Sequence, residues 1–259
     1  MSRCCLDVDR VLQETFAARA EHYATLASTS DRAAQAAAEA PGPLPLLVVA
    51  DEQTAGRGRG THRWWTGRGS LAISLLIGPE QAATGPQGRS PLVALATAVA
   101  VVETVAPRLP SRRVGIRWPN DVFAAGRKLA GILVEGLPDG RHVVGIGLNT
   151  NNTLAEGPPE LRQIATTLLE LTGEPHNQTE ILIALLKHLE DTFRQLVSQP
   201  ERIGERADEL CLQRGETLSL QQGRRTITGL CAGIAPDGAL LLDTAQGRRA
   251  FYSGVLGDL

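Results

Sequence analysis

The sequence predicts an α/β (α+β) protein in which a large unit of helices and strands is followed by a small all-β unit. Three observations carry that reading. Apolar, β-branched runs that suit buried strands alternate with helix-forming stretches as far as about residue 210. From about Gly215 the pattern changes to short strands separated by Gln-Gly and Pro-Asp-Gly turns, the spacing of a small closed β-barrel of roughly 45 residues. The chain has 259 residues, 42% hydrophobic and 21% charged, an ordinary globular composition that allows one large domain and a small appendage. The boundary is therefore expected near 210–214, dividing the chain into 1–212 and 213–259.

Taken in order, residues 6–20 read as a short amphipathic helix, with Leu6, Val8, Val11, Leu12 and Phe16 at helical spacing. Tyr23 to Ala27 suits an edge strand. Ser28-Thr29-Ser30-Asp31 precedes the alanine-rich DRAAQAAAEA, and a hydroxyl ahead of such a run is an N-cap signal. PGPLP at 41–45 ends that helix and leads into a strand at Leu46–Ala50. A second strand is expected at Leu71–Ile77, then a surface loop over 79–91. Pro91 opens a long buried helix ending near Pro107. Its apolar run is shorter than a bilayer span of roughly 20 residues and contains Glu103, so no membrane partner is expected. Val114–Trp118 is a third strand, stopped by Pro119. Ala124–Arg127 forms a hairpin turn, and Lys128–Leu137 pairs with Arg141–Leu148 around Pro138-Asp139-Gly140. Helices follow at 160–172 and 178–198, with a short one near 201–211.

Composition narrows the function. A net charge of −2 and a pI near 6.2 argue against nucleic acid held by bulk charge. Cys4, Cys5, Cys211 and Cys231 match neither a CxxC metal spacing nor a disulfide framework, and read as reduced thiols of a cytoplasmic protein. The start, MSRCCLDVDR, lacks the apolar core of a signal peptide. The five histidines are scattered, with no HExxH spacing and no Ser/His/Asp arrangement.

One stretch stands out. After the strand at 46–50 comes a loop holding Gly56, Arg57, Gly58, Arg59, Gly60, Arg63, Gly67 and Arg68, with Trp64 and Trp65 among them. Glycines let the backbone approach a ligand closely, and arginines supply planar, permanently charged forks for carboxylate and phosphate. A basic loop set between two core strands suits an anion better than a disordered Arg/Gly tail does. Three more segments carry polar groups that a core would not ask for: Arg117-Trp118-Pro119-Asn120-Asp121, Gly126-Arg127-Lys128-Leu129-Ala130-Gly131-Ile132-Leu133, and Gly145-Ile146-Gly147-Leu148-Asn149-Thr150-Asn151.

With Ser28-Thr29, Asp51 to Arg59, Trp64, Arg117 to Asp121, Gly126 to Glu135 and Gly145 to Asn149 in this order and spacing, the chain resembles the biotin protein ligases, also called biotin–[acetyl-CoA-carboxylase] ligases. The likeness extends over residues 20–155, and the C-terminal β segment is similar to the family's SH3-like domain. The resemblance implies a mixed sheet backed by helices. It also implies a two-step reaction in the cytoplasm: biotin and MgATP give biotinyl-adenylate, and a lysine of a biotin carboxyl carrier protein then takes the biotinyl group. By that resemblance, Lys128, Arg57 and Arg59 carry the chemistry. Ser28, Thr29, Gln53, Gly56, Arg57, Lys128 and Gly131 hold biotin. Arg59, Trp64, Asn120, Asp121 and Asn149 face the nucleotide, and Asp121 is the candidate for Mg²⁺. The sequence departs from the family pattern at Ser30, at Gly60-Thr61-His62 and at Arg117, where the family has asparagine, further arginine and glycine, and lysine. Only about twenty residues precede the Tyr23 strand, too few for a helix-turn-helix domain, so a mono-functional ligase without DNA binding is expected. The rival reading is a lipoate-type ligase that activates a different carboxylate.

Overall fold

The computed structural model describes residues 6–39, 42–82 and 91–257. The cysteine pair Cys4-Cys5, Pro41 of the helix-ending PGPLP and positions 83–90 of the expected surface loop lie outside them.

The chain begins with α1 (Val8–Glu14), β1 (Arg19–Tyr23), α2 (Thr29–Ala38), β2 (Leu46–Ala50), β3 (Leu71–Ile77) and α3 (Pro91–Val105). Four strands follow, β4 (Val114–Arg117), β5 (Asp121–Ala124), β6 (Arg127–Gly136) and β7 (His142–Leu148), then α4 (Leu161–Ile164), α5 (Leu168–Thr172), α6 (Gln178–Ser198) and α7 (Pro200–Glu209). The last five strands are β8 (Thr217–Gln222), β9 (Arg225–Ile234), β10 (Leu240–Thr244), β11 (Gly247–Phe251) and β12 (Val255–Gly257).

Two expectations shift. The N-terminal helix stops at Glu14, where the Thr15 hydroxyl donates to the Val11 carbonyl, and residues 19–23 are already a strand. The first strand is thus Arg19–Tyr23 rather than Tyr23–Ala27; it runs parallel to β2, with Arg19 opposite Leu46. The expected helix at 160–172 is two short helices. Thr166 N–H donates to the Lys128 carbonyl and Leu168 N–H to that of Asn149, so the break is extended chain laid against β6 and β7.

Among the described residues, seven strands form one mixed sheet in the order β1-β2-β3-β7-β6-β5-β4. Period two sorts its faces. Leu47, Val49, Ile73, Leu75, Val144, Ile146, Ile132 and Val122 enter one continuous core beneath α3 and α6. α3 is largely apolar, with Glu103 its only charge, and with the turn after it the stretch Pro91–Arg108 is long and apolar enough to cross a membrane by length and composition alone; it is mostly buried because sheet and helices enclose it. On the opposite face Ala33, Ala36 and Ala37 of α2 pack on Leu46, Val48, Leu76 and Val143. Ser28 caps α2, accepting from the Asp31 N–H at 3.3 Å. α2 covers only part of this face. Beyond it the register lines up Ala50, Ala72, Gly147, Gly131 and Asp121 across five strands.

The final five strands pair antiparallel in the order β11-β10-β9-β8-β12, and no hydrogen-bonded pair joins β11 to β12 among the described residues. Their apolar side chains, Leu218, Leu220, Ile234, Leu240, Leu242 and Phe251, belong to the same core cluster as α3. The buried Trp118 indole donates to the Gly238 carbonyl at 3.0 Å, and Trp118 N–H donates to Gln213 Oε1 at 2.7 Å.

Candidate active site

Small residues leave a trough on the uncovered half of the sheet. Gly145 and Gly147 on β7 and Gly131 on β6 all point their missing Cβ toward it. At Gly145 a Cβ would stand 2.5 Å from Ser30 Oγ, and at Gly131 it would stand 3.0 Å from Trp64 Cζ3. At Gly147 it would fall inside the Trp64 indole. Only glycine admits the groups packed there, which gives the spacing of Gly-Ile-Gly its physical reason. Trp64 Nε1 is buried and finds no acceptor among the described residues.

One end of the trough is lined by hydroxyls and an amide. Gln53 Oε1 accepts from the Thr29 N–H at 2.8 Å and from its hydroxyl at 3.2 Å, while Gln53 Nε2 donates to Thr66 Oγ1 at 2.9 Å. Ser74 Oγ donates to Thr29 Oγ1 at 2.8 Å and lies 3.0 Å from Ser30 Oγ. Thr29, Ser30, Gln53 and Ser74 thus converge where the start of α2 and the chain leaving β2 meet above β3, while the Ser28 hydroxyl is taken up by the α2 cap. Gly56 holds the loop close: its carbonyl accepts from Trp64 N–H at 3.0 Å, and a Cβ there would strike the Trp64 carbonyl.

The cations differ in their surroundings. Arg57 donates from Nη1 and Nη2 to both oxygens of Glu135, at 2.8 and 2.5 Å, and its Nε stands 2.8 Å from Asp31 Oδ1. The Glu135 hydrogen bonds push its pKa further up. Arg59 reaches the other way, donating to the Gly254 carbonyl at 2.8 Å. Burial pulls its pKa down, against the charge of Asp121, so this is a half-buried guanidinium that favours an anion. Lys128 Nζ lies 2.7 Å from Asp121 Oδ1 and 5.7 Å from the Trp64 ring centroid. The loop itself encloses a cavity of about 230 Å³, lined by Ala55 to Gly58 and Gly60 to Arg63.

Other named residues stand farther from the trough. Asn120 Nδ2 donates to the Ile132 carbonyl at 2.6 Å, fixing the turn that delivers Asp121. Asn149 is buried; its side-chain oxygen accepts from Asn152 Nδ2 at 3.2 Å and its N–H donates to the Leu129 carbonyl. No group of three His, Cys, Asp or Glu suited to a metal exists among the described residues. Asp121 offers one carboxylate, which fits an ion held mainly by nucleotide phosphates rather than a protein cage. Sequence reasoning gave no part to Glu135, Asp31, Ser74 or Thr66. The two-residue spacing of Gly131, Leu133 and Glu135 was the available signal, since it puts all three on one strand face.

Comparisons with known proteins agree on one group. Residues 24–151 match the Biotin/lipoate A/B protein ligase family, and residues 215–255 match the Biotin protein ligase C terminal domain. The bifunctional ligase/repressor BirA of Bacillus spizizenii is 31% identical over 239 residues, which cover 89% of this chain and 71% of that protein. The biotin–[acetyl-CoA-carboxylase] ligase of Paracoccus denitrificans is 31% identical over 236 residues, 86% of this chain and 95% of that protein. Among solved structures, the biotin protein ligase from Aquifex aeolicus in complex with biotin and ATP is similar at a TM-score of 0.80 and 28% identity, covering 92% and 97% of the two chains.

Proposed function

The chain belongs to the biotin protein ligase family, and we propose that Lys128 and Arg59 are the cations on which its chemistry turns. It is an ATP-dependent biotin–[acetyl-CoA-carboxylase] ligase that joins biotin to a carrier protein. Biotin's carboxylate oxygen attacks the α-phosphorus of ATP, and the bond to the bridging oxygen breaks to release pyrophosphate. A lysine amine of the carrier then attacks the acyl carbon of the mixed anhydride, loses its proton, and AMP leaves. The substrate carboxylate is already a nucleophile. The protein's task is to bring two anions together and to stabilise charge gathering on the phosphoryl oxygens.

The observation behind the residue roles is the glycine trough with unequal cations at its rim. Arg59, half-buried and in no ion pair among the described residues though within the field of Asp121, would take the phosphoryl charge. Lys128, paired with one carboxylate beside Gly131, would stand at the junction of acid and α-phosphate. Ser28, Thr29 and Gln53 would hold the ureido end, with Gly131 beneath it and Gly56 and Arg57 in the loop that closes over the tail. Trp64, Asn120, Asp121 and Asn149 would serve the nucleotide side. Asp121 is the carboxylate that would hold Mg²⁺ beside the triphosphate, where the ion would supply neutralisation of phosphate charge.

The test is direct. The protein is incubated with MgATP, biotin and a carrier domain, and the carrier is weighed by mass spectrometry. One added biotinyl group is expected, and an unmodified carrier refutes the assignment. Pyrophosphate exchange run with biotin and lipoate in parallel separates the lipoate rival. We further propose a mono-functional, cytoplasmic enzyme divided near residue 212. The match to the Paracoccus ligase spans 95% of that protein, against 71% for the Bacillus ligase/repressor. Salt-sensitive binding to a specific operator duplex would contradict the first part.

A further inference from the structure

Glu135 and Asp31 have no part in the reaction just described, yet together they surround Arg57. Glu135 takes both Nη atoms, at 2.8 and 2.5 Å, and Asp31 stands 2.8 Å from Nε. Two carboxylates around one guanidinium leave a local charge of minus one, so a substrate acid arriving there meets net repulsion. Among the described residues Arg59 bonds to the Gly254 carbonyl, and it shares with Lys128 the charge of one carboxylate, Asp121. The two loop arginines therefore differ in what they can do. We propose that Glu135, assisted by Asp31, is a positioning residue that fastens the Arg/Gly loop over the trough through Arg57, leaving Arg59 and Lys128 to meet the acid and phosphate.

The clamp joins the right parts. Glu135 lies on the Gly131 face of β6, Asp31 in the first turn of α2 beside the Ser28–Ser30 hydroxyls, and Arg57 next to Gly56, whose carbonyl holds Trp64. Arg57 thus hydrogen-bonds the loop to the trough through Glu135, and only its charge, with the buried Nε making no hydrogen bond, links it to Asp31 at the start of α2. The side chains of Arg57, Glu135 and Asp31 are 36%, 35% and 56% exposed, so solvent screens the pairs and the fold does not depend on them. Their loss should register in the order of the loop, not in global stability.

The inference rests on the biotin-ligase reading of the trough, and the experiment separates the two. Full-length wild type, E135Q, R57Q and the double variant are compared in three ways: biotin-dependent pyrophosphate exchange, biotinyl-adenylate escaping into solution, and amide hydrogen exchange over residues 56–64. E135Q is expected to raise KM for biotin about fivefold with kcat changed less than twofold, consistent with losing one half-exposed charge pair. Escaped adenylate and loop exchange should rise several-fold while Tm stays put, and the double variant should be no worse than either single one. Wild-type values in E135Q would overturn the proposal. A lowered KM would overturn it too, by making Glu135 a competitor for the guanidinium. So would an R57Q variant far more damaged in kcat than E135Q, since Arg57 would then touch the acid itself. If the wild type shows no biotin-dependent exchange, the functional reading fails, and amide exchange in E135Q still decides the clamp.

Discussion

Lys128 sits in a hairpin strand with its ammonium 2.7 Å from Asp121 and over the Trp64 ring. Its side chain is only 30% exposed, with its stem laid against Gly131. Lys128→Ala is expected to lower biotin-dependent pyrophosphate exchange by about 10²–10³-fold, the usual cost of one lost transition-state contact. Stability should fall by about 1–3 kcal/mol, because Asp121 Oδ1 is buried and loses its only cation among the described residues. Near wild-type exchange would place the chemistry on another group. Gly147 makes the opposite case, a position defined by what is missing. Gly147→Ala puts a methyl inside the indole, so Trp64 must move, and biotin affinity measured by calorimetry should fall by about tenfold or more, in line with an overpacking cost of 1–3 kcal/mol. Unchanged affinity would mean that Trp64 does not shape the trough. At this scale the sequence discloses residues whose chemistry is rare in a core: Arg57, Arg59, Lys128 and the paired glycines. It hides Glu135, Asp31 and Ser74, ordinary residues for a strand or helix. Only the register of β3 against β7, which sets Ser74 opposite Gly145, brings the serine to the trough.

Secondary elements were legible wherever one periodicity prevailed. β2, β3 and β7 are buried along their whole length and read as mainly apolar runs, interrupted by Ser74 in β3 and by His142 and two glycines in β7, and α2 declares itself through Ser28 and its alanines. β1 was displaced because Arg19–Tyr23 alternates weakly and lies at the sheet edge, where only pairing with β2 fixes it. Helix propensity favours one continuous helix over 160–172, but Thr166 and Leu168 bond to β6 and to Asn149 and divide it. The segment after α5 offers a pH test. His176 N–H donates to Asn151 Oδ1 at 2.8 Å, and its ring Nε2 lies 3.0 Å from Thr172 Oγ1. Burial, aided by Arg108, pulls its pKa below the ordinary 6.5. The unfolded chain therefore takes up the proton first as pH falls. The stability this group contributes is complete above about 6.5 and is lost on acidification toward the lower folded value. Tm measured from pH 7.5 to 5 should fall less steeply in His176→Gln than in wild type. Parallel curves would show that His176 titrates alike in both states.

Over the whole molecule, the two units that the sequence suggests contribute apolar side chains to one buried cluster among the described residues. α3 lies in one core with Leu218, Leu240 and Phe251, and α7 is tied to β9 by Asp208, whose Oδ1 accepts from Ile234 N–H at 2.7 Å while its other oxygen pairs with Arg214. Gly204 of α7 leaves no room for a Cβ against the Pro236 carbonyl, so helix and strand connection touch backbone to backbone. Separate units would melt separately; a shared core should melt once. Calorimetry of the full chain is expected to give a single transition with calorimetric and van't Hoff enthalpies in agreement. Asp208→Ala tests the coupling. It leaves the Ile234 N–H without its acceptor and frees Arg214, at a cost of about 1–3 kcal/mol. If the core is shared, near-ultraviolet signals from Trp118, read with Trp64 and Trp65 on the same sheet side of the junction, and from Tyr252, read in a Tyr23→Phe background, should fall together at the same lowered temperature. If only the Tyr252 signal shifts while that of Trp118 holds, the boundary near residue 212 divides two cooperative units, and the Arg59 bond to Gly254 becomes a contact between independently folding parts.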